Sequence, residues 1–402
     1  MASDTPPETR RTIRTFAAAS FLNDFGSDII APVWPMFVIQ ILRANIAALG
    51  LLDGLGEALV SLSQAASGYV SDRIRKRKVF VWTGYLFGGA SRLGYAASSV
   101  WQHLIPFKIL DRAGKMRGAP RDAIVADVST DFNRGRHFGL VRAMDNLGAV
   151  FGIAACILLV DVVGLRRLFV LAAIPSVIGA GLILLRIREA RAPEGKIFKG
   201  LSIGRVDRNL GLYIALNAVF AIGAFSYSFL LVYAKAVGFR IGFIPVLYLL
   251  FTAAAVLLSL PFGRLSDRIE RKTVLFVSFG FWAVVCLGVI LVARMTLVPV
   301  IFVFYGVHRA ALEPVQRTLV TELSPPEYRA SVLGGFQMAV GLCALPASLV
   351  AGWLWDRAGR AAPFALSIGL TAAAALLLAF VKETRAALPR IGRGAVNPLL
   401  RA

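Results

Sequence analysis

Apolar runs long enough to cross a membrane recur along the whole chain, and they restrict its possible folds more than any motif does. A spanning helix needs about 20 mostly apolar residues. Twelve such runs fall near 15–41, 45–70, 79–100, 102–126, 138–160, 164–187, 209–234, 241–265, 273–293, 296–320, 331–354 and 361–381. Hydrophobic residues make up 57% of the chain and its mean hydropathy is +0.70, beyond the range of an ordinary soluble domain. Residues 1–14 are polar, and the first run is too long for a cleavable signal and carries Asp24 and Asp28. The expected fold class is all-α and integral to the membrane.

The formal charge of +21 does not point to nucleic acid once its placement is considered. Twelve passes put both termini on one side, and the basic residues gather there. The opposite side holds Arg43, Arg166, Arg167, Lys235, Arg240, Arg294, Arg357 and Arg360. Basic loops stay in the cytoplasm. Both termini are therefore expected there, in a multi-pass protein of the cytoplasmic (inner) membrane, with the excess charge serving topology and attraction to anionic lipid. Cys156, Cys286 and Cys343 all lie in apolar runs without CxxC or Cys/His spacing, so neither a disulfide nor a zinc site is expected.

The chain also repeats itself. The stretch from Gly68 through Asp72 and Arg73 to Lys78 returns 195 residues later from Gly263 through Asp267 and Arg268 to Lys272, each copy between two apolar runs. Asp127, Ser129, Arg134 and Gly139 match Glu322, Ser324, Arg329 and Gly334 at the same offset. Between them lies a charged segment with Pro193 and Gly195 that interrupts any helix. The expected layout is an N-tail (1–14), a six-helix bundle (15–187), a cytoplasmic linker (188–208), a second six-helix bundle (209–382) and a basic tail (383–402).

On these residues the chain resembles the major facilitator superfamily of transporters over nearly its whole length. Gly68, Asp72, Arg73 and the basic run through Lys78 are similar to the family's hairpin signature between spans two and three, with Arg75 and Glu270 where that signature has an internal glycine. The fourth-span string from Asp111 through Arg112, Lys115 and Pro120 to Asp122 is similar to a prokaryotic permease subgroup. The resemblance implies twelve transmembrane helices in two pseudo-symmetric six-helix bundles, rocking about a central site lined by spans one, four, seven and ten. Gly139, Gly148 and Gly152 resemble part of the family's antiporter signature in span five, where Ile153 replaces its proline.

The hairpin chemistry follows from the residues themselves. An acid one turn from a helix end can accept hydrogen bonds from a neighbouring helix N-terminus or pair with an arginine, and such a contact breaks when two bundles part. Charge-assisted contacts are worth roughly 1–3 kcal/mol. The expected gating residues are Gly68, Asp72, Arg73, Asp127, Arg134, Gly263, Asp267, Arg268, Glu322 and Arg329. The plainer alternative is that these charges only anchor a loop.

Charges inside spans cost at least about 2.5–3.5 kcal/mol each at the bilayer centre and must pair or face water. The expected solute- or proton-binding residues are Asp24, Asp28, Glu57, Asp111, Arg112, Lys115, Arg142, Asp145 and Arg309. Asp28 and Glu57 are the expected proton carriers. Asp24 with Asp28, and Asp53 with Glu57, stand one turn apart and present an alternative cation site. Arg112, Lys115, Arg142 and Arg309 suit an anionic solute. Asp111 and Lys115 have the spacing of an i,i+4 pair, Gly114 and Gly118 that of a close helix contact, and Pro120 that of a kink.

Only His103, His137 and His308 are present, and no HExxH, GxSxG or P-loop occurs. An enzyme, a cofactor and a resident metal are not expected. The function expected is alternating-access transport of a small solute, by proton-coupled export, with protons and the lipid bilayer as partners and the chain acting as a monomer. Uptake, or a non-transporting receptor or scaffold, are the competing readings.

Overall fold

The computed structural model describes residues 6–74, 76–130, 133–187, 207–292, 294–325 and 329–383, without the side chains of residues 65, 68, 69, 72, 330 and 331. The expected linker and basic tail therefore lie largely outside the described residues, as does the side chain of Asp72.

Among the described residues the chain is helical throughout, without a strand. Its elements are α1 (Pro7–Ile30), α2 (Trp34–Met36), α3 (Ile46–Ile74), α4 (Lys78–Ala97), α5 (Leu104–Ala113), α6 (Gly118–Asp127), α7 (Arg134–Val163) and α8 (Leu165–Arg186) in the first half. The second half comprises α9 (Arg208–Gly223), α10 (Ser228–Val237), α11 (Ile244–Arg268), α12 (Arg271–Leu291), α13 (Val298–Glu322), α14 (Arg329–Ala358) and α15 (Ala361–Phe380). They make twelve passes, because α1–α2, α5–α6 and α9–α10 are each one interrupted pass. Nine described helical stretches are apolar and long enough to cross a membrane by themselves. The remaining passes are α1, with its two aspartates, α4, with Arg92, and the divided α5–α6.

The hydrophobic core follows the halves. One cluster joins Phe229, Trp282, Phe302 and Phe364 from α10, α12, α13 and α15. The first half is filled by Phe37, Leu168 and Phe169 near one end and by Phe16, Tyr85 and Val125 near the other. Large apolar side chains such as Leu158, Val162, Leu185 and Leu257 point outward, as lipid-facing residues do.

The internal repeat is visible in the backbone. Gly164 (φ 76°) turns α7 into α8, and Gly359 (φ 85°), at the same repeat position, turns α14 toward α15. Each adopts a left-handed conformation that a side chain would resist. The first pass of each half is also interrupted at matching places, at residues 31–33 and 224–227.

Across the halves, α3 packs along α14 and α7 meets α11. The α3–α14 contact is close because Gly50 and Gly54 lie against the backbone of Ser348 and Ala344, and Gly341 lies against Ser61. At the end where α3 begins, called here the far end, Asp356 binds the N-terminus of α3. The opposite end carries the termini, where Asn209 exchanges hydrogen bonds with the backbone of Lys382.

Candidate functional site

The interruptions in the first and seventh passes meet one acidic side chain. Asp53 on α3 is 7% exposed. Its Oδ1 accepts from the Trp34 indole N–H at 2.8 Å and lies 3.4 Å from Lys108 Nζ, while its Oδ2 accepts from Ser226 Oγ at 2.8 Å. Lys108 Nζ also sits 4.0 Å from the centre of the Trp34 ring. Ser226 belongs to the second half, so a buried ion pair of the first half is completed from the other side of the molecule. The reciprocal contact comes from Tyr248, at the repeat position of Asp53, whose hydroxyl is 3.4 Å from Asp28 Oδ1. Tyr248 stacks edgewise on Tyr227 and Phe251, which continues the aromatic wall to Tyr305.

One turn from Asp53, Glu57 faces Arg112 at 4.0 Å. Asp53–Lys108 and Glu57–Arg112 are thus two rungs of a ladder between α3 and α5, with like spacing on both helices. Gly56 makes the ladder possible: a Cβ there would lie 2.9 Å from Lys108 Cε and 3.1 Å from Arg112 Nε. The first rung is almost fully buried, whereas the Glu57 side chain is 58% exposed.

Span four departs from the expected single helix. Gly114–Arg117 winds as a 3₁₀ segment between α5 and α6, just upstream of Pro120 in the first turn of α6. Gly114 closes against the backbone of Gly84, whereas Gly118 has only Gln64 within 4 Å, so one of the two expected close contacts forms. The tighter winding carries Lys115 away from Asp111. Asp111 pairs instead with Arg112 at 3.5 Å, and the expected Asp111–Lys115 pair is not made. Lys115 lines a cavity of about 330 Å³ with Asp24, Gln64, Arg117, Arg121, Asp122, Arg142 and Asp145. Asp24 accepts from Asn23 at 2.8 Å.

Beneath this cavity the buried Arg121 ties three helices together. It donates to Ser20 Oγ at 2.9 Å, Asp122 Oδ1 at 3.0 Å and Asp145 Oδ1 at 3.2 Å. Arg142 adds contacts to Asp122 at 3.1 Å and Asp145 at 3.4 Å. Arg92 is also buried, bonding Ser27, Ser176 and the carbonyl of Ala172.

A larger cavity of about 630 Å³ opens between the halves, lined by Asn146 of α7, Gly263, Asp267 and Arg271 near the second hairpin, and Arg309 and Glu313 of α13. Arg309 is ion-paired with Glu313. The molecule is therefore joined across its halves at the far end and open between them toward the termini.

At that open end Asp127, Asp267 and Glu322, three of the expected gating residues, bond within their own halves. Arg77 pairs with Asp127, and Arg271 pairs with both Asp267 at 3.2 Å and Glu322 at 2.5 Å. Arg73, Arg134, Arg268 and Arg329 are exposed there. Gly148 and Gly152 press α7 onto α1 at Phe21 and Phe25, whereas Gly139 has nothing within 4 Å. The two acidic pairs of spans one and two do not converge: among the described residues no group of three His, Cys, Asp or Glu side chains could hold a metal.

Sequence reasoning put Asp53 and Lys108 inside the membrane, and gave Asp53 a part only in an alternative cation site with Glu57. The matching i,i+4 spacings Asp53/Glu57 and Lys108/Arg112 on two parallel passes were the available signal. Trp34 was readable only as one of several aromatics that could line a cavity, and Ser226 carried no signal.

Two six-helix halves around a polar centre, joined at one end and open at the other, are the architecture of a membrane transporter. The Major Facilitator Superfamily profile matches residues 16–243 and 211–401, and the chain belongs to that family of transporters. It is 33% identical to an uncharacterised MFS-type transporter of Methanocaldococcus jannaschii over 87% of this chain and 89% of that one. It is 24% identical to the multidrug resistance protein MdtH of Photorhabdus laumondii over 82% and 83%. Among solved structures, a variant of the nucleoside transporter NupG superposes with a TM-score of 0.80 at 14% identity, covering 92% of this chain and all of that one. A bacterial homologue of the human lysosomal transporter Spinster, inward-facing and occupied, gives 0.69 at 15% identity, covering 94% and 95%. At these identities the structures speak to fold alone.

Proposed function

We propose that this chain exports a small amphipathic solute bearing an acidic group, in exchange for protons, from the cytoplasmic membrane with both termini in the cytoplasm. The observation that carries the reading is a mixed-charge cluster between the halves, in which Arg112 and Glu57 of the first half lie near Tyr227 and Arg309 of the second. Arg112, Lys115 and Arg309 offer cations to an acidic group there, Tyr227, Tyr248 and Tyr305 offer apolar and hydroxyl surface, and Asp28, Glu57 and Asp111 are carboxylates placed to exchange protons. A solute carboxylate can displace Glu57 from Arg112 and so link occupancy to a proton site. The excess of basic residues around the termini supports the orientation. The relative called a multidrug resistance protein supports export.

The two halves 15–187 and 209–382 are read as the rocking bodies, with Asp72 and Asp267 closing the terminal end in the opposite state. The chain is read as working alone, as a monomer. Inverted vesicles containing the protein, with an acidic lumen, test the reading: carboxylate-bearing amphipathic dyes should accumulate inside and collapse the pH gradient. Dye movement indifferent to the gradient would overturn it.

A further inference from the structure

The two seams between the halves, α3 with α14 and α7 with α11, are related by the internal repeat, yet they are not closed to the same extent. At the first seam Gly341 of α14 meets Ser61 of α3, so that a Cβ on the glycine would lie 2.8 Å from that of the serine, and Ser61 Oγ lies 3.5 Å from the carbonyl oxygen of Gln337. The repeat offset of 195 turns Gly341 and Ser61 into Asn146 of α7 and Val256 of α11. Those two instead line the cavity of about 630 Å³. The second seam is held toward the far end, by Ile153 buried in the core of the second half and by Asp161 against Gly242. Side-chain size accounts for the difference. Gly54 and Gly341 bring α3 and α14 together, and the matching places hold Leu249 and Asn146.

The rim of the open part is apolar. Val256 and Leu260, on successive turns of one face of α11, are 52% and 60% exposed, and Val150, one turn from Asn146 on α7, is 45% exposed. They adjoin Leu257 and Phe151, which point outward as lipid-facing residues do. One turn further toward the termini on the same face of α11 stands Arg264, exposed and, among the described residues, without an ion-pair partner. The other two guanidiniums of the cavity are held by acids, Arg271 by Asp267 and Glu322, and Arg309 by Glu313. Two apolar steps followed by an unpaired cation near the membrane surface suit a hydrocarbon chain that ends in an anionic head. Arg309 lines the same cavity, which therefore connects the gap with the charged cluster between the halves.

We propose that the gap between α7 and α11 is a side entrance, through which a single-chain amphiphile with an anionic head passes from the cytoplasmic leaflet to the charged cluster, and that Arg264 is the group that first holds its head. This deepens the reading of the chain as an exporter of acidic amphipathic solutes and rests on it for the direction of movement. The hydrocarbon chain moves along Val256 and Leu260 without entering water, while the head passes from one guanidinium, Arg264, to another, Arg309, without being stripped of charged partners. The first seam, drawn together by its glycines, offers no such path, so entry is from one side of the molecule. A carboxylate and a phosphate monoester are both heads that a guanidinium holds.

Photolabelling tests the entrance as a binding site, with no pH gradient imposed. The protein in phosphatidylethanolamine–phosphatidylglycerol vesicles is illuminated with hexadecanoic acid carrying a mid-chain diazirine, and the adducts are located by peptide mass spectrometry. They should concentrate on α11 around Val256 and Leu260 and on α7 around Val150. Excess oleate should remove them, whereas hexadecanol, a chain without an acid, should not. Lysophosphatidic acid competing better than oleate would support the entrance with phosphate as the preferred head, and the reverse order would support it with carboxylate. Arg264→Gln should weaken competition by oleate about tenfold, the scale of one charge-assisted contact, and Arg264→Lys should keep most of it. Adducts spread evenly over outward residues such as Leu158 and Leu185, or removed equally by hexadecanol, overturn the entrance, and wild-type competition in Arg264→Gln overturns the role of Arg264. Competed labelling of the seam in a protein that fails the dye-gradient assay would overturn proton-coupled export while supporting the entrance.

Discussion

Asp356 at the end of α14 accepts a hydrogen bond from the backbone N–H of Ala47 at 2.8 Å, and a second from Ile46 at 3.2 Å. These are the first residues of α3, where helix N–H groups have no partner within the helix, and they belong to the other half. The internal repeat makes a counterpart: Asp161, at the end of α7, lies against Gly242 where α11 is entered, so closely that a Cβ there would collide with its carboxylate. The far end thus carries two acids, each set near the start of a helix in the opposite half, and Asp356 is hydrogen-bonded there. The helix dipole favours both placements.

Asp356→Ala should therefore favour opening of the far end. A cap of this kind is worth about 1 kcal/mol, which corresponds to roughly a fivefold change in a two-state ratio. Spin-label distances across the far end should shift by that factor toward the longer population, and Asp161→Ala should act in the same direction. Unchanged distances in both variants would show that the acids only cap helices.

The span-five glycines give a second expectation. Gly152→Val should destabilise the protein by about 1–3 kcal/mol through overpacking against Phe25 and Ile29 of α1. Gly139→Ala, with open space around it, should leave melting temperature and transport unchanged. Thermal unfolding in detergent separates the two. An equal loss in both would restore a functional meaning to the spacing.

Much of the fold was legible because membrane insertion writes itself into the chain as length and apolarity, and because duplication leaves one constant offset. The interruption at 31–33 contains Pro32, a helix breaker that the apolar run around it masked, whereas 224–227 holds neither proline nor charge to announce it. Asp111 and Lys115 show the limit of helical geometry: their i,i+4 spacing predicts a pair only on a regular helix, and the 3₁₀ winding of Gly114–Arg117 rotates one away from the other. Asp53 was readable as an intramembrane charge, but its link to Ser226 depends on how two distant halves dock.

Arg121 and Arg142 touch the same two aspartates, yet their replacement should have unequal consequences. Arg121 is buried and also holds Ser20 of α1, so Arg121→Met strands Asp122 and Asp145 and should cost about 3–5 kcal/mol. Arg142 has 61% of its side chain exposed, and Arg142→Met should change stability by less than about 1 kcal/mol. Detergent unfolding midpoints measure both. A larger loss for Arg142 would mean that the cavity is held from the α7 side.

Lys115 supplies the last expectation. If Asp111 neutralised it, removing both charges would do less harm than removing Lys115 alone. Asp111 is instead bonded to Arg112, and among the described residues Lys115 forms no ion pair of its own and faces the cavity beside Asp24 and Gln64. Lys115→Met should raise the KM for an acidic dye about tenfold with little change in kcat, the mark of lost binding energy common to ground and transition states. The double variant Asp111→Leu with Lys115→Met should be worse than either single change, because it also frees Arg112 from its carboxylate. Recovery of transport in the double variant would return Lys115 to the role of a structural counter-charge.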